Sequence, residues 1–347
     1  MKILSIAIPA YNSEEFLDKN LRTYVYEYGS RSQRMDPRLE LIIINDGSAD
    51  KTLEIAKNWA ERFPENIKVI DKENGGHGSG INAGIKAAAG KYFKVIDSDD
   101  WIVTENLMVI LDALERVEAD AVICGYHTVN ISNNTVNGYG TGPEKAVILS
   151  MEEFSKLKEG CPAAQSFHGI MYRTDFYRSL ELEMSEGVFF EDQEYAILPF
   201  CSVNTVALFP VFFYEYRIGS STQSVDFKNQ AGREGHFLKV MEKMIDWHLS
   251  RREISPAQDD FVTWRLSHSA VSYFATVLVK AEDKKEGREK AEAFHEELSQ
   301  REPKVSALCE DKYKKMLTIG RMPGASKAYG RLFNSKLYGS FKRRWIK

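Results

Sequence analysis

The chain lacks the marks of several protein classes. It has four cysteines in 347 residues, Cys124, Cys161, Cys201 and Cys309, and none forms a C-x-x-C pair. A disulfide framework and a cysteine zinc site are therefore unsupported, and reduced, cytosolic thiols are the simpler reading. No apolar run approaches the roughly 18 residues that a spanning helix needs. The opening "MKILSIAIPAYNSEE" has one lysine, a short apolar run broken by Pro9 and no small-residue cleavage pattern. It reads as a first strand rather than a signal peptide. The seven histidines are dispersed, without H-E-x-x-H or Cys/His spacing, and read mostly as surface or packing residues. No G-x-S-x-G elbow supports a Ser–His–Asp hydrolase.

Acidic residues are missing from one end. From Lys312 to Lys347 there are eleven lysines and arginines and no aspartate or glutamate. Removing these eleven from the 46 basic residues leaves 35 against 50 acidic ones, so a body of −15 carries a basic tail. Tyr329, Phe333, Leu337, Phe341 and Trp345 recur every four residues within that tail. A basic amphipathic helix with aromatics fits a membrane surface. Docking on the acidic body, or on a dimer mate, fits equally well. Nucleic acid is disfavoured, because no recognition module accompanies the charge.

What is present is a regular alternation. "ILSIAIPAYN", "LELIIIND", "IKVID", "YFKVID" and "DAVICGY" read as strands. Between them lie helical patterns: "SEEFLDKNLRTYVYEYG" with Ser13 as N-cap, "ADKTLEIAKNWAERF", "GINAGIKAAAG" closed by Gly90, and "ENLMVILDALERVEA". Such alternation predicts an α/β fold with a mostly parallel sheet flanked by helices. Ligands of such sheets bind beyond the carboxyl ends of the strands. Long, charged helices follow from about Gln230, so the expected division is a domain over 1–225, a helical extension over 226–311 and the tail over 312–347.

Asp97, Asp99 and Asp100 crowd the end of an apolar strand in "KYFKVIDSDDW". Read alone they are a solvated acidic turn. At the mouth of a central strand they suit a hard divalent cation, Mg²⁺ or Mn²⁺, whose shell substrate phosphates complete. "GSGINA" fits the dinucleotide fingerprint but follows a third strand, where that fingerprint does not belong.

Five ordered stretches together resemble a known family: "SIAIPAYNSEEFLDKNL", "LIIINDGSADKTLEIA", "NGGHGSGINAGIKAAAGKYFKVIDSDDW", "FFEDQEYAILPF" and "YEYRIGSSTQS". The chain is similar to the family 2 glycosyltransferases, of the nucleotide-sugar-binding GT-A fold, from Ile3 to about Ser224. The resemblance implies that Pro9, Ala10 and Tyr11 form the loop around the donor base and that Asp46 contacts base or ribose. It makes Asp97 and Asp99 the D-x-D pair, with Asp99 on the metal and Ser98 and Trp101 in the same donor-binding loop. Asp192 becomes the catalytic base, with Glu191 beside it, and Arg217 lies near the diphosphate. His168 is placed at the acceptor pocket.

Each position also has a plainer reading. Asp46-Gly47 is an ordinary turn, Glu191-Asp192 an acidic helix start, Arg217 a salt-bridged arginine, and Tyr11, Trp101 and His168 packing residues. Two departures from the family stand out. Gly80, Ile81 and Asn82 replace its usual Ala-Arg-Asn, and Ile170 stands where lysine is common.

The resemblance implies an inverting, metal-dependent transferase using a nucleotide-diphosphate sugar, most simply a UDP-sugar. The acceptor would be a glycan or lipid-linked hydroxyl of a surface polysaccharide, teichoic acid or glycolipid. The location would be the cytoplasm, with the tail as a peripheral contact at the inner membrane face. The rivals are a non-catalytic nucleotide-sugar-binding or assembly protein and a dinucleotide-dependent oxidoreductase.

Overall fold

A computed structural model describes residues 1–28, 32–219, 232–281 and 283–322. The aromatic part of the basic tail and the end of the fifth motif lie outside them. The chain divides into two units, Met1–Ile218 and Gly219–Lys347.

In the first unit the elements run β1 (Leu4–Ala10), α1 (Leu17–Arg22), β2 (Tyr26–Tyr28), β3 (Ser32–Arg34), β4 (Leu39–Asp46), α2 (Thr52–Arg62), β5 (Ile67–Lys72), α3 (His77–Ala87), β6 (Tyr92–Val95), β7 (Trp101–Ile102) and α4 (Leu107–Arg116). They continue as β8 (Ala121–Asn130), β9 (Thr135–Tyr139), β10 (Val147–Ser150), α5 (Met151–Leu157), β11 (Ile170–Arg173), α6 (Thr174–Ser179), α7 (Asp192–Ile197) and β12 (Thr205–Ile218). The main sheet has the order β10-β12-β8-β11-β6-β1-β4-β5. β1 pairs in parallel with β4, Leu4–Ala10 against Leu39–Asn45, and with β6, Leu4–Ala7 against Tyr92–Val95. β11 enters antiparallel between β6 and β8.

β1 and β4 are buried along their whole length, as continuous apolar runs covered on both faces must be. Small residues let α3 lie close on β1. A Cβ on Gly84 would stand 2.5 Å from that of Ala7, and one on Gly80 2.8 Å from that of Pro9. The strand order reverses direction at β1, with β4 on one side and β6 on the other. That switch point opens a crevice outside the strands' carboxyl ends.

Two local expectations change. The first helix shrinks to Leu17–Arg22: Ser13 Oγ bonds Ser98 Oγ at 2.7 Å instead of capping, and Tyr26–Tyr28 of the same stretch form β2. α3 ends at Ala87, before Gly90, which presses against the backbone of Leu4 and Ser5. Thr205–Ile218 forms one 14-residue strand, β12, whose register against β8 shifts between Phe209 and Tyr214, beside Pro210. Such a bulge re-aims the residues beyond it, here Tyr214, Tyr216 and Arg217.

The second unit is helical: α8 (Glu234–Ser250), α9 (Pro256–Phe274, continued as a π-helix to Lys280), α10 (Lys284–Arg301) and α11 (Pro303–Gly320). α11 crosses the 311/312 boundary expected for the tail. No helix among the described residues is long and apolar enough to cross a membrane.

Buried His248 of α8 bonds Glu302 at 2.7 Å and Asp259 at 3.1 Å. Burial lowers its pKa, but the bonds and charges of Glu302 and Asp259 outweigh this and raise it. A raised folded-state pKa adds stability that is full below the unfolded value, about 6.5, and is lost as pH rises through the folded value. His248→Gln is therefore expected to lower the melting temperature more at pH 6 than at pH 9.5. Equal losses at both pH values would remove the imidazolium from this account.

Candidate active site

The loop after β1 carries Tyr11, 56% exposed at the rim of the crevice. Pro9 and Ala10 are still inside the strand and buried. Asn12 follows in a left-handed turn, φ 48°, which asparagine tolerates. It ties the β1 and β4 loops together: Ala49 N donates to Asn12 Oδ1 at 2.9 Å, and Asn12 N to Ser48 Oγ at 3.0 Å.

Asp46, at the end of β4, is only 3% exposed. Its carboxylate accepts from Gly75 N at 3.0 Å, Gly76 N at 2.8 Å and Lys72 Nζ at 2.8 Å. It thus folds the Gly75-Gly76 turn over itself. Gly76 sits at φ 85°, where an L side chain would be strained. Asp46 holds the turn that begins α3, and that turn presents His77 to the crevice.

His77 was not singled out in the sequence. Its Nδ1 donates to Glu191 Oε1 at 2.8 Å and its Nε2 to Asp97 Oδ1 at 3.0 Å. Burial disfavours the imidazolium, but the two carboxylates override it and raise the pKa well above the usual histidine value. The available signal was its position, just after a glycine pair at the start of a helix bordering a strand mouth.

The three aspartates are held differently. Asp97 faces His77; burial pushes its pKa up, and the bond and charge of His77 bring it below the usual range. Asp99 Oδ2 pairs with Arg217 Nη2 at 2.7 Å. Asp100 is buried, accepting from Tyr214 Oη at 2.6 Å and Arg217 N at 2.7 Å. Burial, then the charges of Asp97 and Asp99, raise the Asp100 pKa well above normal. The Arg217 guanidinium also lies 4.2 Å over the Phe16 ring. Trp101 Nε1 donates to the Glu215 carboxylate, and its ring sits 3.3 Å beneath Lys19 Nζ. Ser98 is buried against Ser13.

Beneath the loop lies Lys94, a fully buried side chain inside β6. Nζ donates to His168 O at 2.7 Å, and burial lowers its pKa to about 7. His168 is 7% exposed and stacks on Tyr216, centroids 4.1 Å apart. Burial pushes its pKa down to about 3, so the ring is neutral. Ser166 Oγ bonds Nδ1, while buried Nε2 has no hydrogen-bond partner. Asp97, Asp100 and His168 each offer a donor atom within 4.8 Å of the others. Two carboxyl groups and an imidazole nitrogen without a hydrogen-bond partner are donor types that a divalent cation takes, and the nitrogen favours Mn²⁺ over Mg²⁺.

Phe190 is held at φ 76° immediately before Glu191. A bulky residue there marks a conformation imposed by its surroundings. The turn buries Glu191, 4% exposed, and begins α7 with half-buried Asp192. Burial, then the Glu191 charge, raises the Asp192 pKa to about 7, against the charge of nearby His77. A carboxyl poised there can accept a proton at neutral pH.

Residues 5–179 match the model described as Glycosyl transferase family 2. The chain is 28% identical over 221 residues to an uncharacterized glycosyltransferase, EpsJ of Bacillus subtilis, covering 62% of this chain and 61% of that protein. It is 32% identical over 111 residues to the minor teichoic acid biosynthesis protein GgaB of Bacillus subtilis, covering 31% of this chain and 12% of the relative. The chain thus spans about three fifths of one relative's length and an eighth of the other's. In structure it is similar to S. aureus TarS 1–349 in complex with UDP-GlcNAc, TM-score 0.66, at 20% identity and covering 98% and 92% of the two chains.

Proposed function

Since this chain belongs to glycosyltransferase family 2, we propose that it transfers a sugar from a UDP-sugar, with inversion, to a hydroxyl of a cell-envelope glycan, teichoic acid or glycolipid. The observation that carries this reading is Asp192, a half-buried carboxyl with its pKa raised to about 7, next in sequence to Glu191, which His77 joins to Asp97. The uridine donor is supported by the TarS complex of the same fold, which holds UDP-GlcNAc. The acceptor class is supported by the relative named for teichoic acid biosynthesis.

In a single displacement the acceptor oxygen bonds to the anomeric carbon as the carbon–oxygen bond to the diphosphate breaks. The bonding electrons leave with the nucleotide, and the acceptor proton passes to Asp192. Exposed Tyr11 borders the base end of the crevice, where Asp46 acts through the turn it holds. Arg217 supplies fixed positive charge on the diphosphate side. The cation would be held by Asp97 and Asp100 oxygens with His168 Nε2. Asp99, the family's metal position, is paired through Oδ2 with Arg217. When bound, such a cation neutralises charge on the leaving diphosphate.

A thermal-shift series with UDP, UDP-sugars and NAD(P), each with and without Mn²⁺, tests the donor, because ligand binding raises apparent stability. UDP and one UDP-sugar should raise the melting temperature, and more so with Mn²⁺. Stabilisation by NAD(P) alone would discard the reading. The base adds a pH expectation: kcat/KM reports the free enzyme, so it should rise with pH through about 7 as Asp192 loses its proton. A flat profile from pH 5.5 to 8.5 would count against Asp192.

A further inference from the structure

His77 joins two parts of the site that are remote in sequence. Asp97 lies 20 residues away and Glu191 114. Each ring nitrogen meets a different carboxyl group, Nδ1 that of Glu191 and Nε2 that of Asp97, so His77 spans both segments with one side chain. Its backbone is fixed on both sides. Gly75 and Gly76 are bound to Asp46, and Gly187 N donates to Gly75 O at 2.8 Å. At Gly78 a Cβ would stand 2.1 Å from Ser185 O, so α3 abuts the segment leading to Glu191. The ring meets Phe167 edge-on, centroids 6.4 Å apart. Without the His77 ring the turn carrying Glu191 and Asp192 would lose its side-chain tie to the Asp97 loop.

We propose that His77 is a positioning residue for sugar transfer, clamping the turn that carries Glu191 and Asp192 to the Asp97 loop so that the base faces the donor's anomeric carbon. The inference rests on Asp192 as the base. His77 acts through Glu191 and Asp97, and its contribution belongs to the transfer step more than to nucleotide binding.

The test uses the full chain with Mn²⁺ and the UDP-sugar found above. His77→Ala should lower kcat about 100-fold, the scale expected for an ångström of misplacement. The UDP dissociation constant should change less than about threefold. Imidazole added to His77→Ala should restore at least about tenfold, because free imidazole can donate to both carboxylates. His77→Gln, which keeps one donor, should fall between the two. The double variant His77→Ala/Glu191→Gln should be little worse than His77→Ala, since residues acting through one bridge are not additive.

Wild-type kcat in His77→Ala would overturn the proposal. So would parallel losses of kcat and UDP binding in both single variants without imidazole rescue, the signature of a purely structural role. Asp192→Asn measured alongside separates the two ideas. An active Asp192→Asn removes the base, whereas an inactive one beside a fully active His77→Ala removes only the clamp.

Discussion

Asp192→Asn is expected to lower the transfer rate by about 10²- to 10⁴-fold, the range that a positioned general base contributes. Asparagine keeps the volume and the helix-starting position but cannot take the acceptor proton. UDP binding should persist, because the groups assigned to the nucleotide end, Tyr11 and Arg217, lie on β1's loop and β12 rather than on the Asp192 turn. The nearest possible substitute is Glu191, which is buried with Oε1 committed to His77. The variant therefore separates an enzyme from a protein that only binds nucleotide sugars. UDP release measured beside UDP-sugar calorimetry decides it. Transfer within a fewfold of wild type would take the base role from Asp192, and lost UDP binding would mean the turn also holds the donor.

The strands of the crevice were legible because β1, β4 and β6 are buried along their whole length and carry mostly apolar residues, a pattern that burial on both faces favours. The aspartate cluster was legible as chemistry, since three carboxylates seldom end a core strand without counter-charge. How that charge is balanced was not. His77 meets Asp97 and Arg217 meets Asp99 from two distant elements, and Lys94 lies buried in a third. Periodicity tells which face of an element is buried, but not which distant side chain will meet it. Lys94 shows the limit well. Within "YFKVID" it reads as the outward residue of a strand, yet it is fully buried under the site and capped by the carbonyls of His168 and Ile170. Arg217 meets Asp99 through a contact 118 residues apart in sequence. Ser13 failed as a cap for a similar reason, because its hydroxyl found Ser98, 85 residues away.

Gly78→Ala should damage stability and activity together, although alanine is the better helix former by about 1 kcal/mol. Gly78 is buried in the first turn of α3, and its new Cβ would meet Ser185 O at 2.1 Å, Ser185 C at 3.1 Å and Glu191 Cγ at 3.2 Å. The first two are backbone atoms and cannot swing aside. Overpacking of this kind costs about 1–3 kcal/mol, enough to reverse the propensity gain. For a unit the size of Met1–Ile218, each 1 kcal/mol lost lowers the melting temperature by about 2–4 °C. The relief available is for the 185–191 segment to move off α3, which takes Glu191 away from His77. The transfer rate should then fall further than the loss of folded protein explains. Gly235→Ala is the matched control. It lies in α8 with nothing within 4 Å of its Cβ, so the propensity term acts alone and the sign should reverse, with a stabilisation of up to about 1 kcal/mol. If Gly78→Ala melted and turned over like wild type, the close approach of α3 to the base-bearing turn would not be the constraint that holds the site together.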